Sequence, residues 1–155
     1  MSREKKAGKT LLLATDFSQS STGATKFAFE LAGCMGAELY LVHGIEPIAG
    51  AEDGGDGDFD EFFEELAKKS KKELEKLVSR AEEEGITARF HIEIGQRWKI
   101  VLAQAEEAQA DLVVLGRRMY REDQEVSLGT TSQRVFFGSN RPVLVVPREE
   151  SEEQA

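Results

Sequence analysis

The sequence predicts an α/β fold built on an open, doubly wound, five-stranded parallel sheet. Short runs dense in leucine and valine are apolar on both faces, as strands buried in a parallel sheet are. Segments with apolar residues at every third or fourth position separate these runs and predict helices. Because a helix stands between every pair of strands, the connections are right-handed crossovers. With 155 residues, 40% of them hydrophobic, the chain has the size of one domain.

The first half of the chain contains two strand and helix units. Thr10 to Thr15 forms the first predicted strand, and Ala37 to Ile45 forms the second. Ser18 to Ser21 can cap the helix between them, which we expect to end near Gly33 and Gly36. Helical spacing predicts that this helix buries Ala24, Phe27, Ala28, Leu31 and Met35.

A polar connection separates the second strand from the longest predicted helix. Residues 46–58 contain a proline and four glycines, and we expect them to be mobile. The long helix presents an apolar stripe, which indicates core packing. The stripe consists of Phe59, Phe62, Phe63, Leu66, Ser70, Leu74, Leu77 and Ala81. Ile86 to Ile94 then alternates like a strand at a sheet edge, and a third helix is predicted from about Arg97 to Ala110.

The last third of the chain has the pattern of a strand, a loop, a short helix and a strand. Leu112 to Leu115 and Val143 to Val146 are the two apolar runs. The first of these strands ends at Gly116, and small hydroxyl residues from Ser127 to Ser132 lead into the helix. The first N–H groups of a helix lack intrahelical acceptors and carry the positive end of the macrodipole. Such an entrance is therefore a potential anion site.

This last unit resembles the C-terminal nucleotide-binding segment of the universal stress protein family. The family pattern is G-x2-G-x9-G-[ST], and Gly116, Gly129 and Thr130 stand at the matching spacing, with Met119 at the second glycine position. Residues 9–21 resemble the family's first strand and aspartate turn, so the resemblance spans nearly the whole chain. It implies a Rossmann-like strand order 3-2-1-4-5. Ligands in such sheets bind at the carboxyl ends of the strands beside the reversal, here strands 1 and 4.

The resemblance implies that the ligand is ATP or a related nucleotide, with Mg²⁺ held through phosphates and water. The implied contacts combine a carboxylate for the nucleoside, strand-end backbone groups for the base, and hydroxyl, glycine and arginine residues for the phosphates. The candidate binding residues are Ala14, Asp16, His43, Gly44, Gly116, Arg117, Arg118, Met119, Gly129, Thr130, Thr131 and Ser132. At Met119 a side chain replaces the glycine that would let a phosphate approach the backbone, so we expect weakened nucleotide binding.

Several candidates also have a purely structural explanation. Asp16 could accept a hydrogen bond from a ribose hydroxyl or an adenine amine, or it could form an Asx turn or a helix cap. Thr130 and Gln133 could form a capping box, which competes with phosphate for the same N–H groups. Arg117 and Arg118 could reach a phosphate or pair with the acidic residues that follow them.

Charge and composition exclude several classes of function. The net charge of −9 argues against general nucleic-acid binding, and no basic amphipathic stripe suggests a membrane surface. Between Gly116 and Arg141 there are five arginines and three acidic residues. The local charge there is +2, and the other residues carry −11.

The single cysteine, Cys34, cannot form an internal disulfide and points to the reducing cytoplasm; we expect it to be buried. Residues 1–8 and 148–155 should be frayed.

The sequence offers no catalytic or metal-binding constellation. His43 and His91 fall in separate strands without an evident partner set. The run from Asp56 to Asp60 lacks the glycine and glutamate of a calcium loop. Trp98, at the start of the third helix, could stack on a ligand or belong to the packing.

Three functions remain open at this point. The first is a nucleotide-binding universal stress protein that acts by binding and signalling rather than by catalysis. The second is a member that binds no nucleotide and acts through dimerisation and protein contacts, with homodimer pairing through the strand Val143 to Val146. The third is a slow ATP hydrolase, for which no water-positioning base can be assigned.

Overall fold

The computed structural model describes residues 7–47, 57–117 and 130–148, and of residues 57–60 it describes the backbone alone. Within these ranges strands and helices alternate as predicted. The strands are β1 (Lys9–Ala14), β2 (Ala37–Ile45), β3 (Ala88–Ile94), β4 (Leu112–Arg117) and β5 (Val143–Pro147). The helices are α1 (Thr22–Met35), α2 (Gly57–Glu83), α3 (Arg97–Glu107) and α4 (Thr130–Gly138), with a short 3₁₀ helix, Gln19–Ser21, before α1.

The five strands form one parallel sheet in the order β3-β2-β1-β4-β5, which confirms the predicted fold class and strand order. In β1, Lys9 lies opposite Ala37 of β2 and Leu11 lies opposite Leu112 of β4. The chain winds outward from β1 in one direction and then in the other, so the reversal falls between β1 and β4. A crevice forms there because the connections from these two strands leave toward opposite faces.

Two core layers explain why the strand runs are apolar on both faces. In β1, Leu11, Leu12 and Leu13 are all fully buried. Leu11 and Leu13 pack in the layer that contains α1 and α2, and Leu12 packs in the layer that contains α3 and α4. Successive side chains of a strand point to opposite faces, so a strand covered on both faces needs apolar residues at every position.

The buried face of α1 differs from the predicted one. Ala24 and Ala28 are buried as expected, but Phe27 is 48% exposed and Phe29 is buried in its place. Alanines at positions four apart let the helix approach the sheet closely, and this contact line fixes which larger side chains turn inward. Cys34 is exposed, against expectation, because it lies about 120° around the helix from Ala28.

The N-terminus of α1 differs from the prediction, and its C-terminus agrees with it. Neither Ser18 nor Ser21 makes a side-chain capping hydrogen bond. Gly36 does end the helix, with a left-handed φ of 63°. The Ser21 hydroxyl has another use, which is described with the site below.

The segments predicted to be mobile or frayed are partly ordered. α2 begins at Gly57, so the last two residues of the predicted connection are helical, and Glu46 at its start accepts a hydrogen bond from the N–H of Arg97 at 3.2 Å. Residues 48–56 lie outside the described residues, where mobility stays a prediction. Arg148 is also held, because its N–H donates to the carbonyl of Arg117 at 3.0 Å and its guanidinium donates to Gln19.

The long helix and the edge strand follow the sequence pattern closely. On α2, Phe63, Ser70, Leu74 and Ala81 are buried, whereas Phe62 is 45% exposed. β3 is mostly half-buried or exposed, as expected for an edge strand with one solvated side. Among the residues that the structure describes, no helix combines the length and apolar character needed to cross a membrane.

Candidate functional site

A cavity of about 340 Å³ opens at the carboxyl ends of β1, β2 and β4. It lies at the reversal of the sheet order, where the topology places a ligand site. Eight predicted binding residues line it: Ala14, Asp16, Gly44, Gly116, Arg117, Thr130, Thr131 and Ser132. Eight lining residues that the sequence did not single out as ligand contacts complete the apolar and polar walls: Thr15, Ser18, Ser20, Ser21, Val42, Arg97, Val101 and Leu115.

Four predicted binding residues do not join this lining. Arg118, Met119 and Gly129 lie outside the described residues. His43 is buried but does not line the cavity. Successive residues of a strand direct their backbone polar groups to opposite neighbours, so residues two positions apart point the same way. Ile45, two positions after His43, accepts a hydrogen bond from Gly95 at the end of β3. The backbone of His43 therefore points toward β3, away from the cavity.

Asp16 forms an Asx turn directly after β1. Its Oδ1 accepts hydrogen bonds from the Ser18 N–H at 2.9 Å and from the Ser21 hydroxyl at 2.7 Å. The first bond joins a side chain to the backbone two residues on, which defines the turn. Oδ2 receives no hydrogen bond from any described residue, so one carboxylate oxygen holds the turn and the other remains available in the cavity wall.

The Asp16 carboxylate is held in its charged form. Burial raises the pKa of Asp16, but the hydrogen bonds from Ser18 and Ser21 and the positive charge of Arg97 outweigh it, and the net pKa lies below the ordinary value of 3.8. At neutral pH the cavity therefore presents a carboxylate that can accept hydrogen bonds and cannot donate them.

Phe17, the next residue, adopts a left-handed backbone conformation with φ of 62°, which is uncommon for a bulky residue. Its ring lies 4.5 Å from the imidazole of His43, centroid to centroid. His43 Nδ1 lies 2.7 Å from the carbonyl oxygen of Thr15, which can only accept, so Nδ1 carries the proton. His43 therefore stabilises the turn that carries Asp16, through its contacts with Phe17 and the Thr15 carbonyl.

The imidazole of His43 is held in its neutral form. Burial lowers the pKa of His43, and Arg97 acts in the same direction, against the opposing effects of the Thr15 hydrogen bond and the Asp16 charge. A neutral ring with its proton on Nδ1 keeps the bond to Thr15 at physiological pH.

Gly116 is required by close packing of the cavity wall. A Cβ at this position would lie 2.1 Å from the carbonyl oxygen of Ser20, which is backbone and cannot move aside like a side chain. Its own carbonyl accepts a hydrogen bond from the Ser132 hydroxyl at 2.8 Å. Gly116 and Ser132, two of the residues that the sequence assigned to phosphate contact, therefore join β4 to its neighbours. The Ser132 proton is not available to a ligand in this arrangement.

The first turn of α4 supplies the polar end of the cavity. The helix begins at Thr130, so Thr130 is its first helical residue rather than the cap of a box with Gln133. Thr130 is exposed and Thr131 is half-buried, and neither hydroxyl bonds to a described residue. The N–H groups of this turn lack intrahelical acceptors, and Arg117 belongs to the same lining.

Arg97 is the charged residue among the lining residues that sequence analysis did not single out as ligand contacts. It begins α3, and its Nε donates to the carbonyl of Gly44 at 3.2 Å. A Cβ on Gly44 would lie 3.2 Å from the Arg97 Cα, so glycine at 44 permits this close packing. The two residues are 53 positions apart, and no local pattern links the start of α3 to the end of β2.

Trp98, beside Arg97, belongs to the packing. Its ring packs against the core layer under α3 and α4, and the Arg134 guanidinium carbon lies 5.3 Å from the ring centroid. Its indole N–H is buried without a hydrogen-bond partner among the described residues. Across those same residues no group of three or more His, Cys, Asp or Glu side chains could hold a metal ion.

Comparison with known proteins places this architecture in a family. A universal stress protein of Thermus aquaticus is 33% identical over 142 residues, covering 89% of this chain and 98% of the relative. The solved structure of MJ0577, a universal stress protein of Methanocaldococcus jannaschii, superposes with a TM-score of 0.76 at 24% identity and covers 92% of this chain and 98% of its own. An Archaeoglobus fulgidus universal stress protein, solved in complex with dAMP, gives a TM-score of 0.63 at 21% identity, with coverages of 89% and 97%.

The profile of the universal stress protein family matches residues 8–147. This match contains every described strand and helix. The chain belongs to the universal stress protein family.

Proposed function

We propose that this chain is a nucleotide-binding universal stress protein whose ligand is ATP or a related nucleotide and whose output is binding rather than catalysis. The observation that carries the proposal is the cavity at the β1 and β4 reversal, where the Asp16 carboxylate and the first turn of α4 line one space. Its volume of about 340 Å³ falls within the usual range for small-molecule pockets. The dAMP complex of the Archaeoglobus relative adds support from a protein of the same fold.

The two ends of the cavity suit the two ends of a nucleotide. Val42, Val101 and Leu115 offer apolar surface for a flat base. Asp16 Oδ2 is placed to accept a hydrogen bond from a ribose hydroxyl. The α4 N-terminal N–H groups, with the Thr130 hydroxyl and Arg117, suit phosphate oxygens.

Magnesium fits this scheme only as a companion of the phosphates. Asp16 is the single acidic residue in the described lining, and its carboxylate already holds the Asx turn. Mg²⁺ keeps several waters and binds nucleotide phosphates readily, so phosphate oxygens and water would supply its ligands.

Small-molecule release and calorimetry test the proposed ligand. We expect mass spectrometry of the denatured, freshly purified protein to find a purine nucleotide, and titration with ATP and magnesium to give saturable heat. A matched titration of Asp16→Ala should show weaker binding. If the wild-type protein releases no nucleotide and gives no heat with ATP, GTP or AMP, the proposal is wrong.

Catalysis and compartment are parts of the same proposal. We expect no sustained phosphate release when the protein is incubated with ATP and magnesium, because binding is the proposed output. Steady turnover that disappears in Thr130→Val would favour the slow hydrolase instead. The cytoplasm is the proposed compartment, in keeping with a single, exposed thiol.

A second candidate function is dimerisation and protein contact through β5, with or without nucleotide. β5 stands at the edge of the sheet and pairs with β4 on one side. Its residues are apolar, and an uncharged edge strand is open to pairing with another copy. Phe136 and Phe137 are 50% and 75% exposed on α4, which packs against β5, and they add apolar surface nearby.

Light scattering tests this candidate. We expect a homodimer at micromolar concentration, paired through Val143 to Val146, and a monomer when Val145 is replaced by lysine, which places a charge in the edge. Lys99→Ala, far from β5 in sequence, serves as a control and should remain dimeric. A wild-type monomer would contradict pairing through β5.

A further inference from the structure

The carbonyl of Gly44 faces the cavity beyond the end of β1. Val42 directs its carbonyl to β1, where it accepts a hydrogen bond from the N–H of Thr15 at 3.0 Å, and Ile45 directs its carbonyl to Gly95 at 2.9 Å. Because the backbone groups of successive residues point to opposite sides of a strand, Gly44 points to the same side as Val42, two positions before it. β1 has ended at this level, so no strand residue faces the Gly44 carbonyl.

Arg97 covers that carbonyl with a donor. Its Nε donates to the Gly44 oxygen at 3.2 Å, while its backbone N–H is held by Glu46. No described residue accepts a hydrogen bond from either Nη group of Arg97. A strand-end carbonyl would present an acceptor to a ligand. Here the guanidinium of Arg97 covers the Gly44 carbonyl, and its two Nη amino groups remain as donors.

The Arg97 end of the cavity is the end that suits a base. Arg97 is bonded to Gly44 at the end of β2 and shares the lining with Val42, whereas Thr130, Thr131 and Arg117 belong to β4 and the start of α4, on the other side of β1. A nucleotide with its phosphates at α4 therefore directs the edge of its base toward Arg97. This step rests on the proposed function, because it takes the phosphates to be bound at α4.

Adenine and guanine differ in what they present at that edge. Adenine carries an amino group at C6, a donor that would face the guanidinium donors and leave N7 as the one acceptor at this edge. Guanine and hypoxanthine carry a C6 carbonyl beside N7, two acceptors that match the fork of an arginine. We propose that Arg97 makes the cavity selective for purine nucleotides with a carbonyl at C6, so that GTP and ITP bind in preference to ATP.

Calorimetry with three nucleotides tests the selectivity directly. GTP and ITP, each with magnesium, should bind the wild-type protein about tenfold more tightly than ATP, from the discrimination that one arginine fork gives. ITP lacks the 2-amino group of guanine, so equal affinities for ITP and GTP would assign the preference to the C6 carbonyl. ATP binding as tightly as GTP, or GTP binding tightly while ITP does not, would overturn the proposal.

Variants at Arg97 assign the preference to this side chain. Arg97→Ala uncovers the Gly44 carbonyl, so it should weaken GTP binding, strengthen ATP binding and remove the preference. Arg97→Lys keeps the charge without the fork and should retain only part of it. Lys99→Ala removes a positive charge from the same helix outside the cavity lining and should leave all three affinities unchanged.

Two outcomes separate this inference from the proposed function. If nucleotides bind but the ratio of GTP to ATP affinity is the same in wild type and Arg97→Ala, with both proteins folded by circular dichroism, the selectivity proposal is wrong and the nucleotide site stands. If no nucleotide binds the wild-type protein at all, the proposed function fails and the selectivity proposal fails with it.

Discussion

The two ends of the cavity are built in opposite ways. At the β1 and β2 end, Asp16 and Arg97 each hold part of the wall with one group and leave another group without a described partner. At the β4 end these tasks fall on separate residues, since Gly116 and Ser132 fasten the wall while Thr130 stands at the helix start. Lining a cavity is therefore not evidence of ligand contact until the partners of each atom are known.

The largest expected effect is a loss of stability when Gly116, in the cavity wall, is replaced. Gly116→Ala forces a Cβ against the Ser20 carbonyl, and we expect it to lower the free energy of unfolding by about 3 kcal/mol, as other overpacked positions do. Urea denaturation measures this loss. Gly33→Ala, on the exposed side of α1 with open space around the new Cβ, is the matched control and should stabilise by about 0.5–1 kcal/mol. Equal stability of the two variants would show that β4 and the 3₁₀ helix are not in close contact.

The next effect separates ligand contact from wall within α4. Thr130→Val should weaken ATP or GTP binding by roughly 1–3 kcal/mol, if a phosphate oxygen loses its hydroxyl partner, and should leave stability nearly unchanged. Ser132→Ala should do the reverse, because it leaves the Gly116 carbonyl without its donor and lowers the free energy of unfolding by about 1 kcal/mol. Calorimetry and urea denaturation of both variants check the contrast. Equal affinities of Thr130→Val and wild type would place the phosphates elsewhere.

A smaller effect concerns pH and the other end of the cavity. The pKa of Asp16 is lowered in the folded protein, so its charge contributes stability above the unfolded value of 3.8, and this contribution is lost as the pH falls through the lower folded pKa. Asp16→Asn keeps an acceptor but no charge. The difference in unfolding free energy between the two proteins should be below about 1 kcal/mol at neutral pH and vanish in acid, as measured by denaturation across pH. A difference that grows in acid would reverse the assigned sign.

The smallest effect concerns Met119, which lies outside the described residues. A glycine at the matching family position can take positive φ and lets phosphate approach the backbone. Met119→Gly should therefore tighten ATP binding by up to about 1 kcal/mol, one additional backbone hydrogen bond. Calorimetry with magnesium present checks this. Unchanged affinity would mean that the methionine does not occupy the phosphate volume.

Sequence patterns predicted the strands well because their burial on both faces leaves an unbroken apolar run. The strand bounds agree to within one or two residues, and the strand order followed from the family resemblance rather than from periodicity. The face of α1 was harder, since Ala24 and Ala28 set the contact line while Phe27, the larger side chain, lies outside it. Hydrophobicity alone does not show which of several apolar residues can approach the sheet.

Eight of the candidate residues line one cavity where the sequence placed them, and ligand binding by them stays a prediction. Asp16 was singled out from its position after a strand. Its Asx turn is confirmed, and its contact with a nucleoside stays a prediction. The reason for Gly116 could not be predicted, since it depends on how closely Ser20 approaches in space. Arg97 was missed because its significance arises from contact with Gly44, far away in sequence.

The left-handed conformation of Phe17 has a consequence for the order of folding. That conformation costs a residue other than glycine about 1–2 kcal/mol, so other contacts must offset this cost in the turn after β1. The ring of His43 and its bond to the Thr15 carbonyl hold the turn, and both come from β2. These contacts need β1 and β2 to be paired, whereas the Asx turn of Asp16 needs only nearby residues. We therefore expect the turn to reach its final form only after the two strands have paired.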